Sequence, residues 1–252
     1  RELDYSSLAF ELTKDFVLGE ISVSEYKKIC INSYKRSFGK EIISFDKLDQ
    51  HKYIANLFNG PTYAFKDFAL QLLGNIYDYI LRKRKIKLTI LGATSGDTGS
   101  AAIHGCAKSN NVKIFILFPL NRVSEIQRKQ MTTVKKKNVF NIAVKGNFDD
   151  CQRMVKNYFK LNNENKKLNL AAVNSINWVR IMGQIVYYFW SYFRVSNRFD
   201  PMSFVVPSGN FGNAYAGYIS KKMGLPIKKI IIGSNKNDIL TRFFKTGKMK
   251  IK

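Results

Sequence analysis

The sequence predicts an α/β fold with open, mostly parallel sheets that carry helices on both faces. Short apolar runs alternate with amphipathic stretches from Lys87 onward. Strands that are separated by single helices form βαβ units, in which the strands run parallel. The apolar runs are continuous rather than alternating, which is typical of strands covered by helices on both sides.

Six apolar runs are predicted strands, and the stretches between them are predicted helices. The strands are Leu88–Leu91, Val112–Phe118, Val139–Val144, Leu168–Val173, Phe204–Val206 and Ile230–Ile232. The helices lie near 98–108, 123–134, 148–160, 178–194 and 212–223. Two more helices are predicted upstream: Phe65–Arg84, which has an apolar stripe of 3.6-residue period, and Ser22–Phe38, which starts at Ser22 or Ser24.

The chain of 252 residues is long enough for one large domain or two small ones. The only weak boundary is the polar patch Asn162–Lys167. We therefore expect one α/β unit with an inserted subdomain. Residues 1–85 would form N-terminal helices and part of a large domain, residues 86–170 a smaller α/β subdomain, and residues 171–252 the continuation of the large domain.

The net charge of +24 raises the question of an anionic partner. Nucleic acid and anionic membranes attract such a chain, but a solvated surface rich in lysine gives the same number. Because the basic residues are scattered rather than clustered, the lysine-rich surface is preferred and no nucleic-acid partner is expected. No apolar stretch is long enough to cross a bilayer, so no membrane partner is expected either.

Three cysteines, Cys30, Cys106 and Cys151, lie far apart and predict neither a disulfide framework nor a zinc motif. Two histidines argue against a metal centre. No secretory leader opens the chain, and together these features predict a reducing, cytoplasmic setting. Both ends, Arg1 and Lys252, read as cut from a longer protein.

Three turns are rich in glycine and in side chains with hydroxyl groups. Each turn follows an apolar run and precedes a predicted helix. In Ser208–Asn213, two glycines let the backbone close around an anion such as phosphate. Ala93–Gly99 offers hydroxyls and N–H groups for a carboxylate and is neither a Walker loop nor a dinucleotide fingerprint. Either turn alone is more simply explained as a helix cap, with Asp97 or Ser95 at the N-cap of the second.

The third segment, Asn59–Phe68, places Lys66 in the first turn of a helix. There the helix dipole disfavours an ammonium, and Phe65 and Phe68 would desolvate it, so the neutral amine of a Schiff-base lysine is favoured. Taken alone, Lys66 is more simply a solvated lysine. An amine nucleophile, a carboxylate turn and a phosphate turn in one α/β chain together indicate pyridoxal-phosphate chemistry.

Four segments resemble the threonine synthase family of fold-type II pyridoxal-phosphate enzymes. They are Asn59–Leu70 (NGPTYAFKDFAL), Ala93–Gly99 (ATSGDTG), Asn174–Arg180 (NSINWVR) and Pro207–Gly212 (PSGNFG). The resemblance covers roughly residues 50–245, in the family's order and spacing. It implies a tryptophan synthase β-like fold, incomplete here because the family is longer at both ends and its C-terminal segment supplies the partner of the pyridine nitrogen.

The resemblance also implies a role for each motif residue. Lys66 would hold pyridoxal 5'-phosphate as a Schiff base and move protons, and Asp97 would contact the cofactor ring and the substrate. The cofactor phosphate would lie on Ser208, Gly209, Asn210, Phe211 and Gly212. The substrate carboxylate would bind to Thr94, Ser95 and Thr98. The substrate phosphate would bind to Ser175 and Arg180, with Thr98 as a further candidate.

The implied reaction converts O-phospho-L-homoserine and water to L-threonine and phosphate, in a monomer or homodimer. A related lyase, such as a serine or threonine dehydratase, shares the lysine segment and the turns Ala93–Gly99 and Pro207–Gly212 but has no substrate phosphate to bind. A basic nucleic-acid binder and an inactive fragment are the remaining alternatives. One departure from the family, Ser124-Glu125 in place of Ser-Pro, is expected to matter little because it opens a helix away from the proposed site.

Overall fold

The computed structural model describes residues 2–165, 167–174, 177–196 and 200–249. Helices account for just under half of the described residues. They are α1 (Tyr5–Thr13), α2 (Val23–Tyr34), α3 (Lys66–Arg84), α4 (Asp97–Cys106), α5 (Glu125–Thr132), α6 (Phe148–Asn165), α7 (Trp178–Val195), α8 (Gly212–Lys222) and α9 (Ile239–Thr246). A single 3-10 turn, Lys14–Phe16, follows α1.

The strands form two parallel sheets and one hairpin. They are β1 (Ser44–Lys47), β2 (Tyr53–Asn56), β3 (Leu88–Ala93), β4 (Val112–Pro119), β5 (Val139–Val144), β6 (Leu170–Ala171), β7 (Met202–Pro207) and β8 (Ile227–Gly233). A four-stranded sheet has the order β5-β4-β3-β6, β7 pairs with β8, and β1 pairs antiparallel with β2. The predicted α/β class is confirmed.

All six predicted strands are present, and every predicted helix is found within a few residues of its expected bounds. The hydroxyl of Ser22 accepts a hydrogen bond from the N–H of Glu25, so α2 starts at the first of its two candidate caps. The four-stranded sheet spans Leu88–Ala171, which supports the proposal that residues 86–170 form a subdomain.

Helix α3 lies between two hydrophobic cores. Phe68, Leu72 and Ile76 pack with α1, α2 and α7 in one core. Leu70 and Leu73 face the other core, which α4 and the four-stranded sheet complete. A helix that is apolar on both sides is buried on both sides, and α3 therefore joins the two halves of the chain.

Glycines let α3 approach its neighbours at backbone distance. A Cβ added to Gly105 of α4 would lie 2.3 Å from the carbonyl oxygen of Leu70, and one on Gly74 would lie 2.0 Å from the carbonyl oxygen of Gly105. On the opposite side, a Cβ on Gly183 of α7 would lie 2.8 Å from the Cα of Ala69. None of these contacts admits a methyl group without moving a helix.

Three elements were not predicted: α1, the β1–β2 hairpin and α9. The alternative interpretation, in which Asp97 or Ser95 caps α4, was wrong, since Gly96, with φ of +147°, occupies the N-cap position. In the described part of the chain, no helix combines the length and the apolar character needed to cross a bilayer.

Replacing Gly105 by Ala tests the close packing of α3 and α4. Helix propensity alone would make the substitution stabilising by about 1 kcal/mol. The contact with the Leu70 carbonyl instead predicts a loss of roughly 1–3 kcal/mol in the free energy of unfolding, because the helices must separate. Urea unfolding measures the difference. Gly39→Ala is the control, since nothing lies within 4 Å of its added Cβ.

Candidate active site

Lys66 is the first residue of α3, as predicted, and its side chain is 13% exposed. Its Nζ donates a hydrogen bond of 2.5 Å to Oδ2 of Asp97 and lies 4.4 Å from the ring centroid of Phe65. Phe68 points away into the core against Phe38 and Tyr187. The sequence did not show that Asp97 faces Lys66, and the neutral amine that it favoured stays a prediction.

The turn after β3 sets the position of Asp97. The buried hydroxyl of Thr94 accepts hydrogen bonds from the N–H groups of Gly96 and Gly99, at 3.0 and 2.9 Å. These bonds close the turn and start α4 with Asp97 as its first residue. Thr94 thus shapes the turn with its hydroxyl oxygen, and its predicted role in carboxylate binding has no direct support from this geometry.

The turn after β7 presents free N–H groups at the start of α8. The hydroxyl of Ser208 accepts from the N–H of Phe211 at 3.0 Å and donates to Oδ1 of Asn213 at 2.6 Å. The N–H of Ser208 itself donates to the carbonyl of Gly233. Among the described residues, the N–H groups of Gly209, Asn210 and Gly212 have no acceptor. These three amides, rather than all five, remain available for an anion.

Arg180 is buried, with 3% of its surface exposed, and does not lie on the protein surface. Asn177 caps α7 by accepting from the N–H of Val179, which places Arg180 in the first turn of the helix. Its Nε and Nη1 have no hydrogen-bond partner in the described ranges. Burial lowers the pKa of Arg180 to about 10, although the carboxylate of Asp97 opposes the shift. The guanidinium is therefore still charged at neutral pH.

These groups converge on one cavity of about 140 Å³. Its walls are Phe65, Lys66, Arg180, Gln184, Pro207, Ser208, Gly209, Asn210, Gly212 and Asn213. Asp97 joins the cavity through its bond to Lys66. The structure thus brings together the lysine, the arginine and the phosphate turn, which are far apart in the sequence.

The remaining predicted residues are less closely tied to the cavity. Ser95 is exposed and Thr98 is partly buried, both beside Asp97, and Phe211 forms the left-handed N-cap of α8 with φ of +62°. Ser175 lies outside the described residues, so its predicted role stays a prediction.

The cavity wall contains four residues to which the sequence assigned no binding role: Phe65, Gln184, Pro207 and Asn213. Gln184 is four residues after Arg180, so helical periodicity places it on the same face, and its amide donates to the Arg180 carbonyl. That spacing was the available signal. A second, larger cavity of about 570 Å³ lies beside Tyr5, Phe45 and Trp190, and none of the motif residues lines it.

Comparison with known proteins decides the family. Residues 45–252 match the family described as "Pyridoxal-phosphate dependent enzyme". The chain belongs to this family. It is 50% identical over 241 residues to a threonine synthase of Pseudomonas aeruginosa and 46% identical over 263 residues to one of Saccharomyces cerevisiae. These matches cover 96% and 98% of the chain but only 51% of each relative.

Solved structures agree with this assignment. The chain superimposes on a pyridoxal-phosphate-bound threonine synthase from Brucella melitensis with a TM-score of 0.93 at 42% identity. That match covers 100% of this chain and 54% of the other. The chain therefore spans about half the length of the relatives it matches. Similarity to an aspartate racemase, at 13% identity and a TM-score of 0.66, shows the fold alone.

The residues present fit both reactive ends of the family's cofactor. Pyridoxal phosphate carries an aldehyde, which a lysine amine can bind, and a phosphate dianion. Lys66 lines the same cavity as the free amides at the N-terminus of α8. Arg180 lines the same cavity, and its Nε and Nη1 have no hydrogen-bond acceptor among the described residues.

Replacing Arg180 by Met tests whether the guanidinium lacks a partner in the protein. An unpaired buried charge costs free energy, so R180M is expected to raise the free energy of unfolding by roughly 1–3 kcal/mol without cofactor or phosphate. Urea unfolding in phosphate-free buffer measures this. Added phosphate should then stabilise the unmodified protein more than R180M.

Arg128→Met on the exposed surface of α5 is the matched control and should change the free energy of unfolding by no more than about 0.5 kcal/mol. If R180M unfolds more easily than R128M, the guanidinium has a stabilising partner and the anion-site interpretation is wrong.

Proposed function

We propose that the protein of this chain is a threonine synthase, which converts O-phospho-L-homoserine and water to L-threonine and phosphate. One observation carries the proposal. A cavity lined by Lys66 and by the free amides of the 208–212 turn also contains the buried side chain of Arg180, whose Nε and Nη1 have no hydrogen-bond partner among the described residues. A cofactor phosphate occupies one anion site, and the second suits a substrate that is itself phosphorylated.

The cofactor would be held by residues of three elements. Lys66 would bond to its aldehyde, and Gly209, Asn210 and Gly212 would donate N–H groups to its phosphate. Asp97, already 2.5 Å from the lysine nitrogen, would face the ring substituents and the incoming substrate amine. When bound, pyridoxal phosphate withdraws electrons and so stabilises negative charge on the substrate carbon next to the amine.

Lys66 would perform the proton transfers. It would take a proton from Cα and then from Cβ of the substrate, while the phosphate group leaves Cγ. Water would supply the hydroxyl group at Cβ and a proton to the released phosphate, and Lys66 would return the two protons to Cγ and Cα to complete L-threonine. Asp97 keeps the amine on the correct face, because the two groups are within hydrogen-bond distance.

The substrate would be clamped at its two anionic ends. Arg180 would bind the leaving phosphate, with Ser175 and Thr98 as proposed partners. Ser95, Thr98 and Thr94 are the proposed groups for the carboxylate, at the N-terminus of α4, where free N–H groups and the helix dipole favour an anion. Fixing both ends aligns the breaking bonds at Cα, Cβ and Cγ with the lysine.

Lys66→Arg in the full-length protein tests the central role of this amine. Arginine can keep the ion pair with Asp97 but cannot bond to the cofactor, so threonine formation should fall by about 10³-fold or more, and visible absorbance of bound cofactor should disappear. Lys83→Ala, on the exposed last turn of the same helix, is the control. Retained cofactor absorbance and threonine formation in K66R would contradict the role of Lys66 as the cofactor-binding and proton-transferring residue.

The substrate is tested separately with Arg180→Ala. Phosphate release from O-phospho-L-homoserine should be seen with the unmodified protein, and R180A should raise KM for this substrate by at least about tenfold, since a charge-assisted contact is lost. A dehydratase would instead form a keto acid from serine or threonine. Equal KM values in both proteins would contradict a phosphate-binding role for Arg180.

A further inference from the structure

Asp67 directly follows the candidate cofactor lysine and is completely buried. Its carboxylate accepts two hydrogen bonds from one residue: the N–H of Thr62 reaches Oδ2 and the hydroxyl of Thr62 reaches Oδ1, both at 2.8 Å. Burial raises the pKa of Asp67, and the bonds from Thr62 oppose that shift. Burying a carboxylate costs free energy unless hydrogen bonds compensate for the lost water. The two bonds from Thr62 therefore determine where Asp67 can lie.

The contacts of Asp67 define the turn that leads to Lys66. A Cβ added to Gly60 would lie 2.5 Å from Oδ2 of Asp67, so the carboxylate packs directly against the glycine backbone. Tyr63, in the middle of the turn, has φ of +55°, a conformation that costs energy for an aromatic residue. Asp67 therefore contacts both Gly60 and Thr62 and stabilises the turn that contains the strained residue Tyr63.

Helix α5 holds the same turn from the other side. The side-chain amide of Gln130 donates a hydrogen bond of 3.0 Å to the carbonyl of Thr62. Three residues earlier on that helix, Gln127 lies against Gly96, where an added Cβ would be 2.0 Å from its Oε1. Helix α5 thus contacts the turns before both Lys66 and Asp97. The expectation that the helix opened by Ser124 lies away from the site was wrong.

We propose that Asp67 and Gln130 are positioning residues for Lys66. Together they form hydrogen bonds with the N–H, the hydroxyl and the carbonyl of Thr62. These bonds fix the position of the turn that precedes Lys66 at the start of α3. The lysine amine then reaches the cofactor aldehyde in one orientation, and a small displacement of the turn slows this bond formation. The inference rests on the cofactor role proposed for Lys66.

The experiment separates attachment of the cofactor from its simple binding, in the full-length protein. Attachment of pyridoxal phosphate is followed by its visible absorbance, and borohydride trapping with mass spectrometry identifies the lysine. Affinity for pyridoxamine 5'-phosphate, which has an amine instead of an aldehyde, measures binding without any bond to Lys66. The variants are Asp67→Ala, Asp67→Asn and Gln130→Ala, with Arg128→Ala on the exposed side of α5 as the control.

Gln130→Ala is expected to slow attachment by about tenfold, the effect of one lost hydrogen bond that orients a reacting group, and Asp67→Ala, which loses two such bonds, by at least about tenfold. Affinity for pyridoxamine 5'-phosphate should stay within about twofold. Asp67→Asn should restore attachment, because its amide oxygen can accept from the Thr62 N–H and its amide nitrogen can donate to the Thr62 hydroxyl. Arg128→Ala should attach at the unmodified rate.

Attachment at the unmodified rate in folded Gln130→Ala or Asp67→Ala overturns the proposal. So does an equal loss of pyridoxamine 5'-phosphate affinity, which would make these residues part of the cofactor pocket. If Asp67→Ala does not fold, Gln130→Ala decides the question alone. Attachment is measured without phosphohomoserine, so this experiment can still be interpreted if the threonine synthase assignment fails. Trapping at a lysine other than Lys66 would contradict both the role proposed for Lys66 and the positioning role of Asp67 and Gln130.

Discussion

The close approach of α3 to two other helices is the constraint on which the rest of the structure depends. Its backbone touches α4 near Gly105 on one side and α7 near Gly183 on the other, at distances that leave no space for a methyl group. Packed interiors do not deform continuously, because each side chain occupies a defined place. The four-stranded sheet and the β7–β8 half are therefore held in one arrangement relative to the first residue of α3.

This constraint explains how a reactive site forms from distant segments. Lys66 begins α3, Asp97 begins α4, and Arg180 lies in the first turn of α7. Because α4 and α7 both pack on α3, their N-terminal turns meet at the lysine. The free amides at the start of α8 join them because α8 packs along α7, where a Cβ on Gly217 would lie 2.8 Å from the Tyr188 ring.

The sequence predicted those features that local chemistry determines and missed those that arise from packing. Continuous apolar runs identified the strands, and the turn at Ser208–Gly212 was recognised by its glycines. Pairing of Lys66 with Asp97 was not predictable from local pattern, since 31 residues separate them and only the packing of α3 on α4 joins them. For the same reason Arg180, an ordinary charge in a helical pattern, was recognised only through its motif.

The charges of the site show why such packing is retained. The ion pair of Lys66 and Asp97 is nearly neutral as a unit, so the buried guanidinium of Arg180 and the α8 amides leave the cavity with a positive excess. A buried guanidinium whose Nε and Nη1 have no hydrogen-bond acceptor among the described residues destabilises the fold. The aromatic and aliphatic contacts of α7 offset that cost, since Ile185, Tyr188 and Tyr192 are almost completely buried. A hydrophobic residue at position 180 would avoid this cost, and we therefore propose that the arginine is retained because it binds an anion.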